Sequence, residues 1–118
     1  MDVKIKLMIF IPSLTVGGSE RVISILCKYL DKDKFDIYLV LLKREGIFLQ
    51  EIPIEVNIID LNIRHARKSL FSIIKTIYQH KPDMVFSTLG YLNLIVGIAK
   101  FFVSSKITFI AREISFFI

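Results

Sequence analysis

The stretch "IKLMIFIPSLTVGGSERVI", residues 5–23, joins an apolar run to a helical pattern through a turn that contains two glycines. The run does not alternate polar and apolar residues, which is typical of a strand buried on both faces of a sheet. Ser19 is placed to cap the helix that follows, because a serine oxygen accepts hydrogen bonds from the amides of a first helical turn. A buried strand that leads through a short turn into a helix indicates a parallel α/β sheet.

The rest of the chain repeats this alternation of strand and helix. We predict strands at residues 4–11, 35–42, 56–61, 84–87 and 107–111, and helices at residues 19–30, 67–80 and 92–103. Helices that alternate with buried strands predict a doubly wound, Rossmann-like parallel sheet of about five strands in one domain. In such sheets ligands bind at the carboxyl ends of the strands.

Composition and charge narrow the range of partners. The chain has 118 residues, a hydrophobic fraction of 53% and a net charge of +5. Its high apolar content indicates either an unusually large core or an apolar surface that meets a membrane or a further domain. The positive charge favours phosphates or anionic lipid, whereas no nucleic-acid partner is predicted, since no basic–aromatic motif accompanies the charge. The lone Cys27 excludes an internal disulfide, is typical of a reducing compartment, and is predicted to be a buried apolar residue.

The segment "MVFSTLGYLNLIVGIAKFFV", residues 84–103, has about the length of a membrane span. The alternative is a short buried strand after the turn "HKPD", followed by a separate helix from Gly90 onward. We favour the strand and helix, while a small membrane protein that spans at residues 84–103 stays an alternative.

The two glycines after the first strand suit a phosphate. Gly17 and Gly18 allow the backbone to approach a ligand closely, and the amides at the start of a helix attract anions. The spacing matches neither the dinucleotide fingerprint nor the P-loop. A tight turn without a ligand is the alternative interpretation.

A row of cations, here called the basic ridge, consists of Arg64, Lys68 and Lys75. On a helical wheel the ridge lies opposite an apolar side and is flanked by Phe71. The apolar side is formed by Ala66, Leu70, Ile73, Ile74 and Ile77. The ridge is either the solvated face of an ordinary amphipathic helix or a contact for an anionic membrane or a lipid-linked pyrophosphate.

No metal site or nucleophilic triad is predicted. The carboxylates of Asp31 and Asp33 have a metal-like spacing, but they lie in a helix-to-strand turn at the amino end of the second strand. His65 and His80 have no ligand partners at a suitable spacing, and no Ser/His/Asp set can be assembled.

Three motifs in order carry a family resemblance: "GGSERVI", "KPDMVFSTLGYLNLIVGIAK" and "ITFIAREIS". The middle motif has a serine after a buried strand and an asparagine six residues later, Ser87 and Asn93. The last motif ends a strand in a small residue, an arginine and a glutamate: Ala111, Arg112 and Glu113. Together they resemble the amino-terminal domain of retaining glycosyltransferases of family 4, which have the two-domain GT-B architecture.

The resemblance implies transfer of a sugar from a nucleotide-sugar to a polysaccharide or lipid-linked acceptor, with no metal and no cofactor besides the nucleotide-sugar substrate. Gly17 and Gly18 would lie near the donor diphosphate, and the domain would chiefly hold the acceptor. The candidates that would face the cleft are Ser87, Asn93, Arg112 and Glu113; no catalytic residue is assigned. The basic ridge would bind a lipid phosphate, on a protein peripheral to the cytoplasmic face of a bacterial plasma membrane.

The chain also departs from the family pattern. The carboxyl-terminal domain with its Glu-x7-Glu signature is missing, and "STLGYLN" lacks the histidine that many relatives place near the cleft. The apolar ending "SFFI" predicts a domain cut short at its carboxyl end. We therefore expect a chain that is inactive alone, as a natural truncation, an excised domain, or a non-catalytic half that docks on a separately encoded partner.

Overall fold

The computed structural model describes residues 4–14, 18–63, 68–88 and 90–112. Its strands are β1 (Ile5–Ile11), β2 (Phe35–Leu41), β3 (Asn57–Asp60), β4 (Met84–Thr88) and β5 (Thr108–Arg112), and its α-helices are α1 (Gly18–Tyr29), α2 (Ser69–His80) and α3 (Gly90–Ala99). Short 3-10 helices cover Ile47–Glu51 and Lys100–Phe102.

The strands form one sheet in the order β3-β2-β1-β4-β5, and every pair is parallel. The predicted doubly wound, Rossmann-like sheet is therefore confirmed. The chain moves outward from β1 to β3, crosses back to β4, and then moves outward to β5. The direction of winding thus reverses between β1 and β4, and this reversal is the topological switch point of the sheet.

Two separate cores explain why the strands are apolar without alternation. Successive side chains of a strand point to opposite faces of the sheet, and in β1 both faces are covered. Leu7, Ile9 and Ile11 pack in one core, here called the α1 core, while Met8 and Phe10 pack in the other, here called the α2–α3 core. The α1 core also contains Ile23 and Cys27, and the α2–α3 core also contains Ile73, Ile77, Leu92 and Val96.

The predicted elements are all present, with shifts at their ends. Helix α1 begins at Gly18, one residue before the predicted start, so Ser19 lies within its first turn; the predicted serine cap stays a prediction, since the side chain of Ser19 lies outside what the structure describes. The third helix was predicted to run to residue 103, but α3 ends at Ala99 and the chain tightens into the 3-10 helix Lys100–Phe102.

The segment between β2 and β3, where neither a helix nor a strand was predicted, contains a 3-10 helix that packs on the α1 core through Phe48 and Leu49. It also holds the segment that follows β1. The amide of Leu14 donates to the Glu45 carbonyl at 2.8 Å, and the amide of Phe48 donates to the Leu14 carbonyl at 3.1 Å. These bonds fix the point at which the chain leaves β1 for the glycine turn.

Residues 84–103 form a strand and a separate helix, as predicted. Strand β4 pairs with β1 on one side and β5 on the other, and α3 has 10 residues. Within the ranges that the structure describes, no helix is both long enough and apolar enough to cross a membrane.

Asp83 joins three elements at the amino edge of the sheet. Its carboxylate accepts the amide of Lys6 at 2.8 Å, and its own amide donates to the Lys6 carbonyl at 2.9 Å. The Lys6 ammonium in turn donates to the carbonyl of His80, the last residue of α2, at 2.7 Å. Asp83 also contacts β5, because the amide of Thr108 donates to the Asp83 carbonyl at 3.0 Å.

Cys27 is buried in the α1 core, as predicted. Burial raises the pKa of the thiol from its ordinary value of 9.0 to about 12, although the nearby Lys32 ammonium lowers it slightly. We expect the native protein to resist modification by a disulfide reagent at pH 8, because the thiolate is the reactive form. The release of chromophore from the reagent, followed with and without denaturant, tests this expectation; rapid release from the native protein would contradict it.

The same pKa shift predicts a loss of stability at alkaline pH. The unfolded thiol releases its proton near pH 9, whereas the folded thiol keeps it until about pH 12. Because the folded state then binds more protons than the unfolded state, the free energy of unfolding falls as the pH rises through this interval.

Candidate functional site

The carboxyl edge of the sheet at the switch point is the candidate site. Strand β1 and strand β4 are neighbours there, with Phe10 opposite Ser87. Helix α1 follows β1 on one face of the sheet, while α3 follows β4 on the other face. The two connections therefore lead to opposite faces of the sheet, and in open α/β sheets ligands bind at the strand ends where this happens.

Ser87 and Asn93 are brought together on the α3 side of this edge. The Ser87 hydroxyl donates to the side-chain carbonyl oxygen of Asn93 at 2.7 Å, and Ser87 is buried. The bond ties the first turn of α3 to the end of β4 and determines which way the Asn93 amide is oriented. Both residues line a cavity of about 220 Å³ together with Lys100 and residues 109–111.

Thr88 lies next to Ser87, on the other face of the sheet. Met84 and Phe86 pack against the α1 core, and Val85 belongs to the α2–α3 core. By the alternation of strand side chains, Thr88 therefore points toward α1. Its side chain is fully buried, and among the described residues its hydroxyl is the one buried side-chain polar atom without a hydrogen-bond partner.

A buried hydroxyl without a partner is costly, and native proteins contain few of them. Thr88 was not among the residues singled out from sequence, because a threonine at the end of a strand is unremarkable by itself. The signal is structural: the orphaned hydroxyl lies at the switch point, on the face that carries the start of α1. Among the described residues it is therefore the polar atom at this edge that lacks a partner within the protein.

The other predicted residues of the site are placed less completely. Gly18 is the first residue of α1, so its backbone lies where the helix amides face the carboxyl edge, whereas Gly17 lies outside the described residues. Arg112 is the last residue of β5 and pairs with Thr88 in the register of the sheet. The side chain of Arg112, and Glu113 as a whole, lie outside what the structure describes.

The basic ridge is placed in part. Lys68 precedes α2 and Lys75 lies within it, and both side chains are exposed. They lie opposite Ile73 and Ile77, which are buried as predicted, while Leu70 and Ile74 are half-buried against the same core. Arg64, Ala66 and His65 lie outside the described residues. The role of the ridge stays a prediction.

The residues for which no metal-binding role was predicted have local structural roles. The carboxylate of Asp31 accepts the amide of Asp33 at 2.8 Å within the turn before β2. The His80 ring lies 5.1 Å from the ring of Tyr38 between centroids. In the described ranges, no group of three or more His, Cys, Asp or Glu side chains could hold a metal ion.

Comparison with family models and with curated proteins identifies no relative. A scan against protein-family models matches no family, and a search of the curated proteins finds no significant match. The resemblance to family 4 glycosyltransferases therefore stays a prediction from the three sequence motifs.

Proposed function

We propose that this chain is the acceptor-side domain of a retaining glycosyltransferase with GT-B architecture. The complete enzyme would transfer a sugar from a nucleotide-sugar to a polysaccharide or lipid-linked acceptor. One observation carries the ligand-binding part of this proposal, namely the unpartnered hydroxyl of Thr88 at the switch point. The sugar-transfer part is supported by the three motifs.

The chemistry of the carboxyl edge suits a diphosphate and sugar hydroxyls. Amides at the start of α1, near Gly18, favour an anion through hydrogen bonds and the helix dipole. The Thr88 hydroxyl can donate to a phosphate oxygen or accept from a sugar hydroxyl. The backbone of Arg112 lies beside Thr88 in the sheet, and we propose that its guanidinium binds the same anion. Each of these groups covers one side of a ligand, so we expect a second domain to complete the site and the chain alone to be inactive.

The proposed location is peripheral, on the cytoplasmic face of a bacterial plasma membrane. Lys68 and Lys75 are exposed on the side of α2 that faces away from the sheet. Phe71 lies between them and is 86% exposed. Lysines interleaved with an exposed aromatic ring are typical of helices that lie on anionic membranes, and a lipid-linked acceptor would be reached from such a surface.

Replacing Thr88 with valine separates stability from binding. Valine has nearly the same shape, so the change removes an unsatisfied hydroxyl and is expected to raise the free energy of unfolding by about 1 kcal/mol. The same change should weaken binding of farnesyl diphosphate, a soluble probe that carries a diphosphate, because the ligand loses a hydrogen bond. Urea denaturation and isothermal titration calorimetry measure the two effects.

Thr76→Val is the matched control. Thr76 is also buried, but its hydroxyl donates to the Ser72 carbonyl at 2.7 Å, so the same substitution removes a satisfied hydroxyl. We expect no gain in stability and unchanged binding of the probe. If Thr88→Val bound farnesyl diphosphate as tightly as the wild type, the proposed ligand site would be wrong.

A further inference from the structure

A second pocket lies at the amino edge of the sheet, at the opposite ends of the strands from the candidate site. It has a volume of about 310 Å³ and lies between the last turn of α2 and the connection from the 3-10 helix Lys100–Phe102 to β5. Ile77, Pro82, Val103 and Ile107 form its apolar lining. This part of the pocket can therefore accept an apolar group.

The rim of this pocket is cationic. Lys81 and Lys106 are exposed, both line the pocket, and neither ammonium has an ion-pair partner among the described residues. Tyr78 and Ser104 also line it, and the Ser104 hydroxyl, which accepts the amide of Lys106 at 3.2 Å, can still donate its proton. Asp83 is the acidic group at the pocket, and its carboxylate already accepts the amide of Lys6. Two unpaired ammonium groups and a hydroxyl are suited to a phosphate.

The backbone of Lys81 gives a further reason to assign a role to its side chain. Lys81 ends α2 in the left-handed conformation, with φ 48° and ψ 60°, and its amide donates to the Ile77 carbonyl. Glycine is the residue that this position favours in a helix C-cap. A lysine here is less stable than glycine, yet it places a cation at the pocket rim.

The pocket adjoins an exposed apolar surface. Tyr78 belongs to both the pocket and the outward side of α2. On the neighbouring α3 and the 3-10 helix after it, Leu94 is 67% exposed, Phe101 86% and Phe102 56%. Together with Phe71, these side chains form what we call the outward surface of the α2–α3 layer. Large apolar side chains exposed on neighbouring elements of one layer are suited to contact with a partner or a membrane.

The charge of the chain is concentrated in the half that builds this layer. Residues 61–118 contain eight Lys and Arg but two Asp and Glu, whereas residues 1–60 contain eight Lys and Arg and nine Asp and Glu. The cationic half of the chain therefore suits an anionic partner. The apolar outward surface suits a partner that has a hydrocarbon interior. An anionic bilayer has both properties.

We infer that the pocket between α2 and β5 binds the phosphate headgroup of an anionic phospholipid while the outward surface rests on the bilayer. Lys81, Lys106 and Ser104 contact the phosphate, and the apolar lining receives the carbon atoms next to it. This lipid is an anchor and not the sugar acceptor, because the pocket lies at the edge opposite Thr88. The inference rests on the proposed membrane association but not on sugar transfer.

Lys81→Asn together with Lys106→Gln tests the pocket. Asparagine tolerates the left-handed conformation, so the helix end is kept. We expect the double variant to bind phosphatidylcholine vesicles containing phosphatidylglycerol about 25-fold more weakly than the wild type, or about fivefold for each lysine. Co-sedimentation measures the partition. Arg21→Gln with Lys28→Gln, on exposed positions of α1, removes the same charge from the other side of the sheet and should change binding less than about twofold.

Soluble glycerol phosphate distinguishes specific binding of a lipid headgroup in the pocket from general electrostatic attraction between the cationic surface and the membrane. We expect it to shift the amide NMR signals of Ser104 and Lys106 in the wild type and not in the pocket variant. If the pocket double variant and the α1 double variant weakened vesicle binding equally, the pocket would not be the binding site. The same would follow if the wild type bound vesicles but glycerol phosphate caused no such NMR shifts. Shifts without weaker vesicle binding would overturn the lipid as its ligand. If the wild-type chain did not bind anionic vesicles, the proposed membrane association would be wrong as well. That result would leave the Thr88 experiments unaffected.

Discussion

Replacing Phe10 with alanine is expected to lower the free energy of unfolding by about 3 to 5 kcal/mol. Phe10 lies in β1, the central strand of the sheet, and its side chain is 1% exposed. It packs in the α2–α3 core with residues of three strands and both helices, including Val40 and Val85. The truncation removes apolar contacts and leaves a cavity that surrounding β-strands cannot collapse to fill.

The midpoint of urea denaturation measures this loss. Since single domains are stable by about 5 to 15 kcal/mol, the variant should unfold at a much lower urea concentration. Phe71→Ala is the control, because it removes the same atoms from a side chain that is 86% exposed. We expect that control to change stability by less than about 0.5 kcal/mol. Equal destabilisation by the two changes would mean that Phe10 does not lie in the core described above.

The fold could be predicted because its strands are buried on both faces. In β1 every residue from Leu7 to Ile11 is buried, so the sequence there shows a continuous apolar run instead of an alternating one. The pattern of α2 was equally informative, since Ile73 and Ile77 are spaced four residues apart on its buried side. These signals are local, and local signals survive in a single sequence.

The candidate site was predictable only in part, because its geometry depends on the packing of distant segments. The spacing of Ser87 and Asn93 was recognised through a family resemblance, and the structure adds the hydrogen bond between their side chains. Whether the Thr88 hydroxyl has a partner depends on which groups of β1 and α1 pack against it. A local sequence pattern does not predict such long-range contacts. The pocket rim likewise joins Lys81 and Lys106 from separate elements, and only the sheet topology brings them together.

The membrane association proposed for the basic ridge predicts a large effect of charge reversal. Lys68→Glu with Lys75→Glu changes the net charge of the outward surface by four units. Since each charge near an anionic bilayer contributes about 1 kcal/mol, binding to vesicles should weaken on the order of 1,000-fold. Both side chains are exposed, so the fold should tolerate the change. A glutamate at residue 68 would even favour the positive end of the α2 dipole.

The matched control for this reversal lies on α1, where Arg21 and Lys28 are also exposed and have the same seven-residue spacing. Arg21→Glu with Lys28→Glu alters the net charge equally, but on the face of the sheet opposite α2 and α3. Its effect should be smaller because solution ions screen charges beyond about 10 Å at moderate salt. Co-sedimentation at two salt concentrations compares the pairs directly. If both reversals weakened binding to the same extent, only the total charge would matter; if neither did, the α2–α3 layer would not face the membrane.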